Sequence, residues 1–384
     1  MKRLLFIGII LFPFLCNAQK YRNPVGKEFP VVAWYSLDEN HNDYHNYRIL
    51  SNAGFNLSLS FFASYKHAIV GLESNKRTGV KLIPCCMDMK DKAEVFATIV
   101  RQKKGMGLFY VFDEPSGSDF DVVAQKVESY RQYDDNHMSY INLLPNYATK
   151  EQLGFSSYEE YLEEYIRIVK PDFISFDYYP FFRGILRSSF YNNLETVRII
   201  GTKYDIPFWG FIRTGVTKDY LEPCEGELRF QAFSNLAYGA KGIQYFTYSS
   251  PRGYESALLD SAYNKTPNFY VVKKLNRDIQ KIAKITLEAE LEYVWHFHDS
   301  NHEEKKYGIE FQPLETNKEG FLCSLFSKSG RRFLMIVNKC YNINQCLSIK
   351  SGKRIKKYFG NFTRVKGGLY NMELAPGDCV VIQI

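Results

Sequence analysis

Hydrophobic and polar positions fall into two textures along this chain. Between about residues 29 and 249, short apolar or β-branched runs recur, each followed by a longer amphipathic stretch. Eight such runs stand out, at 31–36, 56–61, 81–86, 108–113, 139–144, 173–177, 208–212 and 243–248. The intervening stretches carry helical spacing, as at 158–169 and 228–238. Strands that alternate with helices imply a parallel sheet. Eight strands in about 220 residues match a closed (β/α)8 barrel, the TIM barrel. A doubly wound open sheet is the alternative. It normally brings a glycine-rich phosphate loop after its first strand, and this chain has none there.

Helical spacing returns over 270–289, where Val271, Val272, Leu275, Ile279 and Ile282 recur on one face, and closes the barrel. Beyond residue 307 the runs become short and alternating, at 309–311, 321–327, 333–338, 347–350 and 379–384. Gly, Asn, Lys and Pro punctuate them, which predicts a small antiparallel β-sandwich. The organisation expected is a leader at 1–18, a barrel at 19–291, a linker at 292–306 and a sandwich at 307–384. The linker is assigned from its His, Asp, Asn and Glu content.

The N-terminus changes the picture most. Lys2 and Arg3 precede an apolar run from Leu4 to Leu15, and Cys16-Asn17-Ala18 gives a small-x-small pattern. This reads as a signal peptide cut after Ala18. The run is too short to span a bilayer. A lipid-bearing Cys16 is the weaker alternative, because Leu15 is bulky where a small residue is expected. No later apolar stretch is long enough to cross a membrane, so the mature protein is expected to be periplasmic or secreted. Hydrophobic content is 45% over 384 residues, which suits a large domain with a small one and excludes disordered and collagen-like classes. Net charge is +7, or +5 without the leader, and the basic residues are scattered. Nucleic acid is therefore not an expected partner.

Seven cysteines follow the leader: Cys85, Cys86, Cys224, Cys323, Cys340, Cys346 and Cys379. The number is odd and no zinc spacing is present. Cys340 and Cys346 could bridge a hairpin in an oxidising compartment. The others read as small core residues. His41 and His45 stand four apart, and His296, His298 and His302 cluster. No carboxylate-assisted zinc motif accompanies either group, so neither metal nor cofactor is expected. Nor is there a serine nucleophile elbow.

In such a barrel the functional groups lie at the C-terminal ends of the strands. The fourth run ends Phe112-Asp113-Glu114-Pro115. A hydrophobic strand has no structural need for two adjacent carboxylates at its tip. In an enclosed pocket, like charge and desolvation would hold one of them protonated, ready to donate to a leaving oxygen. The sixth run ends Asp177-Tyr178-Tyr179-Pro180, a second acid whose tip can face the first across the mouth. The seventh ends Trp209-Gly210-Phe211-Ile212-Arg213 with no carboxylate; Glu222, Glu225 and Glu227 follow in the loop and helix start. Trp34, Tyr35, Asn146, Tyr178, Tyr179, Trp209, Arg213 and Tyr248 are the expected substrate-binding residues, with Phe62 and Asp88 also near strand ends. Aromatic residues make up 16% of the chain, with 29 tyrosines and 30 phenylalanines, a composition compatible with sugar stacking. Mixed aromatic and polar tips are what a sugar site requires.

These residues resemble exported bacterial barrel proteins described as glycoside hydrolases of the β-galactosidase-like kind, in the clan that includes glycoside hydrolase family 42. The matching stretches are Phe112-Asp113-Glu114-Pro115-Ser116, Leu143-Leu144-Pro145-Asn146-Tyr147, Pro171-Asp172 through Asp177-Tyr178-Tyr179-Pro180, and Glu227-Leu228-Arg229 through Ala237-Tyr238-Gly239-Ala240-Lys241-Gly242-Ile243-Gln244-Tyr245-Phe246. Leu374-Ala375-Pro376-Gly377-Asp378 resembles the closing turn of their sandwich. The resemblance implies that Glu114 is the acid/base glutamate, preceded here by Asp113 where Asn is usual. It implies a glutamate nucleophile ending strand seven, which this chain lacks. Three alternatives stay open: Asp177 acts instead, Glu225 or Glu227 reaches in, or the protein binds carbohydrate without cleaving it. A barrel hydrolase of amides or esters is a further possibility, without a visible nucleophile or metal.

Overall fold

The computed structural model describes residues 21–297, 305–306, 308–315 and 320–384. The leader at 1–18, Cys16, His298 and His302 lie outside these residues. The first six strands are β1 (Val31–Trp34), β2 (Leu57–Phe62), β3 (Lys81–Cys86), β4 (Phe109–Asp113), β5 (Ser139–Leu143) and β6 (Ile174–Phe176). A hairpin of β7 (Phe181–Phe182) and β8 (Ile185–Leu186) follows, then β9 (Phe208–Arg213) and β10 (Gly242–Phe246). All but the hairpin form one parallel sheet in the order β3-β2-β1-β10-β9-β6-β5-β4. Its two ends meet at Leu82, whose amide donates to Gly105 at 2.7 Å while its carbonyl accepts from Gly107 at 2.8 Å. The sheet is thus a closed (β/α)8 barrel, and all eight runs read from the sequence are its strands.

Nine helices lie among the described residues: α1 (Tyr44–Asn52), α2 (Tyr65–Asn75), α3 (Ala93–Val100), α4 (Phe120–Tyr133), α5 (Lys150–Leu153), α6 (Tyr158–Val169), α7 (Phe190–Tyr204), α8 (Glu225–Ala237) and α9 (Pro267–Thr286). Strand parity separates two cores. Val31, Ala33, Ile141, Leu143, Ile243 and Tyr245 point outward against the helices. Val32, Trp34, Tyr140, Phe173, Trp209 and Phe211 fill the barrel. Trp209 stacks on Phe173 with ring centroids 4.3 Å apart. Gly242 makes room for it, since a Cβ there would stand 2.5 Å from the indole.

The C-terminal part is a sandwich of β11 (Glu290–Phe297), β12 (Ile309–Glu315), β13 (Phe321–Lys328), β14 (Arg331–Asn338), β15 (Gln345–Ser351), β16 (Lys356–Phe359), β17 (Thr363–Arg364), β18 (Leu369–Leu374) and β19 (Cys379–Gln383). One sheet runs β11-β13-β14-β19-β16 and the other β12-β15-β18-β17. The first sheet is buried on both faces. Leu322, Phe326, Met335 and Val381 pack on the barrel side, while Cys323, Leu325, Ile336 and Ile382 face the second sheet. Arg229 of α8 ties the parts together, bonding Asp378 at 2.7 Å and Asp278 at 3.2 Å.

Two expectations are corrected. The segment placed in a linker at 292–306 begins as β11, paired with β13 along its length. Trp295 and Phe297 enter the sandwich core while Leu291 and Val294 pack on the barrel. Charged and His positions between them hid that alternation. The proposed bridge between Cys340 and Cys346 is not formed. The Cys340 thiol instead lies 3.0 Å from the Asn342 side-chain oxygen.

Candidate active site

A cavity of about 370 Å³ opens at the C-terminal end of the barrel, within the size range of small-ligand sites. Asp113, Glu114 and Asp177 all line it. The β4 tip reaches it by two local irregularities. Tyr110 pairs with Tyr140, but the next pair is Phe112 with Ile141, so β4 holds one extra residue there. This bulge turns both Val111 and Phe112 toward the outer core and brings Asp113 inward beside Asn142. Glu114 then takes a left-handed backbone, φ 50°, which breaks the strand's alternation and lets adjacent acids share one cavity. Tyr35, also lining the cavity, has φ 45°. Left-handed backbone at non-glycine residues is costly and clusters at functional sites.

The three carboxyls are not equivalent. Asp177 is buried, and desolvation followed by the charges of Glu114 and Asp113 pushes its carboxyl well above the usual range. Glu114 is also raised by desolvation, and its charge lifts Asp177 further, so the two carboxyls titrate as a pair. Asp113 is pushed up to about 6, first by desolvation and then by Glu114, against a hydrogen bond from Asn142. Asp113 and Glu114 open to solvent through the mouth, yet both carboxyls stand among protein atoms.

A buried chain of hydrogen bonds lies under the cavity. Trp34 Nε1 donates to the Tyr140 hydroxyl at 2.7 Å, and that hydroxyl donates to Gln244 Oε1 at 2.6 Å. Gln244 Nε2 donates to Ser175 Oγ at 2.8 Å, and Ser175 donates to Asn142 Oδ1 at 2.9 Å. Asn142 Nδ2 donates to Asp113 Oδ1 at 3.2 Å. On the opposite wall, Tyr179 stacks on Phe246 at 5.3 Å. Arg213 bonds the carbonyls of Gly215 and Leu221 and lies 4.9 Å from the Tyr220 ring, pinning the β9–α8 loop over the cavity.

Of the expected binding residues, Trp34, Tyr35, Tyr179 and Arg213 line this cavity and four do not. Trp209 faces inward but sits at the opposite end of β9 from Arg213, on the barrel floor. Tyr178 points away from its neighbour Tyr179, toward Phe190 and Ser189. Asn146 ties its loop to α7, its amide group bonding Asn192 at 3.1 Å and its N–H bonding Asn193 at 2.8 Å. Tyr248, past the end of β10, is buried against Phe55. Phe62 belongs to the outer core, and Asp88 accepts from the Tyr65 amide at the start of α2. Glu225 pairs with Lys274 at 3.5 Å and Glu227 caps α8 through the Cys224 amide at 3.0 Å; neither lines the cavity. Asn142, Tyr147, Phe211, Gly215, Tyr220, Phe246 and Tyr254 complete the lining. Strand parity from Tyr140 and Arg213 could have found Asn142 and Phe211. Tyr220 and Tyr254 come from loops, where no periodicity points to them. Among the described residues no group of three His, Cys, Asp or Glu side chains is arranged to hold a metal.

No family model matches the chain, and a search of curated proteins found no match to its sequence. Its fold is similar to that of AmyP, solved in complex with maltose, with a TM-score of 0.51 at 8% identity over 93% of this chain and 96% of that one. A hyperthermophilic endo-β-1,4-glucanase solved with substrate gives 0.47 at 11% identity, covering 65% of this chain and 97% of the other. A β-mannanase from the blue mussel Mytilus edulis gives 0.44 at 9%, covering 65% and 92%. At such identities the likeness to AmyP shows the fold alone, a (β/α)8 barrel with a C-terminal β-sandwich.

Proposed function

We propose that this chain is a glycoside hydrolase in which Glu114, titrating as a pair with Asp177, is the acid. The observation that carries the reading is the convergence of Asp113, Glu114 and Asp177 in one aromatic-walled cavity at the barrel mouth. Desolvation holds a proton on the Glu114–Asp177 pair, which is the state a general acid needs. Tyr35, Tyr179 and Phe246 supply an aromatic wall against which a sugar could lie. A place in the β-galactosidase-like clan and export to the periplasm or medium belong to the same reading; they rest on the sequence motifs and the leader. The test is a hydrolysis screen of the mature protein on varied glycosides and polysaccharides beside Glu114→Gln. Sugar release by the wild type and a drop of about 10²–10⁴-fold in the variant is expected.

One observation favours a second reading. The tip of β9 carries Arg213, held by backbone carbonyls, where the resembled clan has its nucleophile. A barrel that only binds carbohydrate would show saturable sugar binding, no turnover on any substrate, and unchanged affinity in Glu114→Gln.

A further inference from the structure

Resting on the glycosidase reading, we propose that Asp113, not Asp177, is the carboxylate that works opposite the acid, and that a one-way hydrogen-bond relay starting at Trp34 keeps it an anion. Two geometric facts carry this. The first is that Asp177 is buried with its Oδ1 unpartnered, while Asp113 opens to the cavity mouth. A buried, unpartnered oxygen disfavours the charged form, whereas a general base must meet the attacking water as an anion. Asp113 is the remaining carboxyl on the cavity wall among the described residues.

The second fact is the direction of the relay. An indole N–H can only donate, so Tyr140 must accept from Trp34. Its own proton is then free for Gln244 Oε1, which turns the Gln244 amide nitrogen toward Ser175. Ser175 has its proton left for Asn142 Oδ1 at 2.9 Å, shorter than its 3.3 Å separation from Tyr140. Asn142 can therefore offer Asp113 nothing but an N–H. An acceptor facing that donor is favoured when ionised. The ionisable groups around Asp113 are Tyr35 from the end of β1, Cys85 from β3, Tyr110 and Glu114 from its own strand, Tyr140 from β5, and Asp177 and Tyr179 beyond β6. None of these is a cation, and the cation of the cavity wall, Arg213, is engaged by the Gly215 and Leu221 carbonyls, so the relay is the specific support for the charge. In the reaction, Glu114 passes its proton to the leaving oxygen as the bond to the anomeric carbon breaks. Water attacks that carbon and Asp113 takes the water's proton. Asp113 then releases a proton to solvent and the Glu114–Asp177 pair regains one.

The experiment compares wild type, Glu114→Gln, Asp177→Asn and Asp113→Asn on dinitrophenyl glycosides and on unactivated oligosaccharides of the same sugars. Dinitrophenolate departs without protonation, so loss of an acid spares those substrates and loss of the base does not. Asp113→Asn is expected to lose about 10²–10⁴-fold in kcat/KM on both classes. Glu114→Gln and Asp177→Asn should lose that much only on oligosaccharides and stay within about tenfold of wild type on dinitrophenyl glycosides. The reverse, with Asp177→Asn failing on both and Asp113→Asn sparing either, overturns the assignment. Carbon NMR titration of the carboxyls, with Asp113 identified by its replacement, reads the relay without turnover. The Asp113 midpoint should move up in Trp34→Phe and further in Asn142→Leu, with circular dichroism confirming that both fold. An unmoved midpoint in both sinks the relay. If the wild type cleaves nothing, the catalytic role falls with the glycosidase reading, while the titration still decides whether Asp113 is the anion of this site.

Discussion

At the scale of single residues, the cavity trades stability for chemistry. Asp177 is buried with its carboxyl raised well above the usual range. The folded state therefore binds a proton there more tightly than the unfolded chain does. Stability associated with that group is full below its unfolded pKa and is lost as pH rises toward the folded value. Asp113, moved from 3.8 to about 6, adds to the same trend in that window. Wild-type stability should accordingly fall as pH rises from about 4 to 6. Asp177→Asn, which needs no proton to enter the fold, should melt above the wild type at pH 7 while losing activity on natural substrates. Each kcal/mol gained would raise Tm by about 2–4 °C. A variant that melts below the wild type at pH 7 would contradict the assigned direction. Glu114 offers a second test, because its φ of 50° favours glycine. Glu114→Gly should be more stable than Glu114→Ala by about 1 kcal/mol in denaturant unfolding, although both lack the carboxyl.

At the scale of elements, the bulge in β4 and the loop after β9 build the site. Without the extra residue between the Tyr110 and Phe112 pairings, strict alternation from Tyr110 would turn Phe112 inward and Asp113 toward the helices. The sequence reading placed the acids at the correct strand tip but could not orient them, because a bulge leaves no mark on hydrophobic spacing. Trp209 shows the converse: its side of β9 is readable, yet its depth along the barrel depends on register with β10, where it meets Gly242. The loop after β9 hangs on Arg213 through the Gly215 and Leu221 carbonyls. Arg213→Lys keeps the charge but cannot span both carbonyls with a planar fork. It should raise KM about tenfold or more as Tyr220 loses its seat, an effect of roughly 1.4 kcal/mol. An unchanged KM would show that the loop stands without the pin.

At the scale of the whole molecule, the sandwich is a partner to the barrel's helical layer and not a hanging appendage. Its first sheet buries both faces, one on the barrel. Arg229 is the polar tie, nearly buried between Asp378 and Asp278. Breaking a buried ion pair by removing one partner leaves the other charges uncompensated. Arg229→Met should cost about 3 kcal/mol of stability, read as a lowered denaturation midpoint. A loss within the error of the wild-type midpoint would show that packing alone holds the two parts together.

Alternating runs and helical spacing by themselves determined the barrel, its eight strands and the strand ends that carry acids, because burial imposes periods of two and 3.6 on any chain that folds this way. They also pointed to the sandwich, though not to β11, β16, β17 or β18, whose runs are short or broken by polar residues. Only the tertiary structure decided which acids converge, which tyrosine of an adjacent pair faces the cavity, and how a tryptophan in the first strand is linked to an aspartate in the fourth. Those relations depend on register, bulges and loop closure between segments far apart in the chain, and no local period records them.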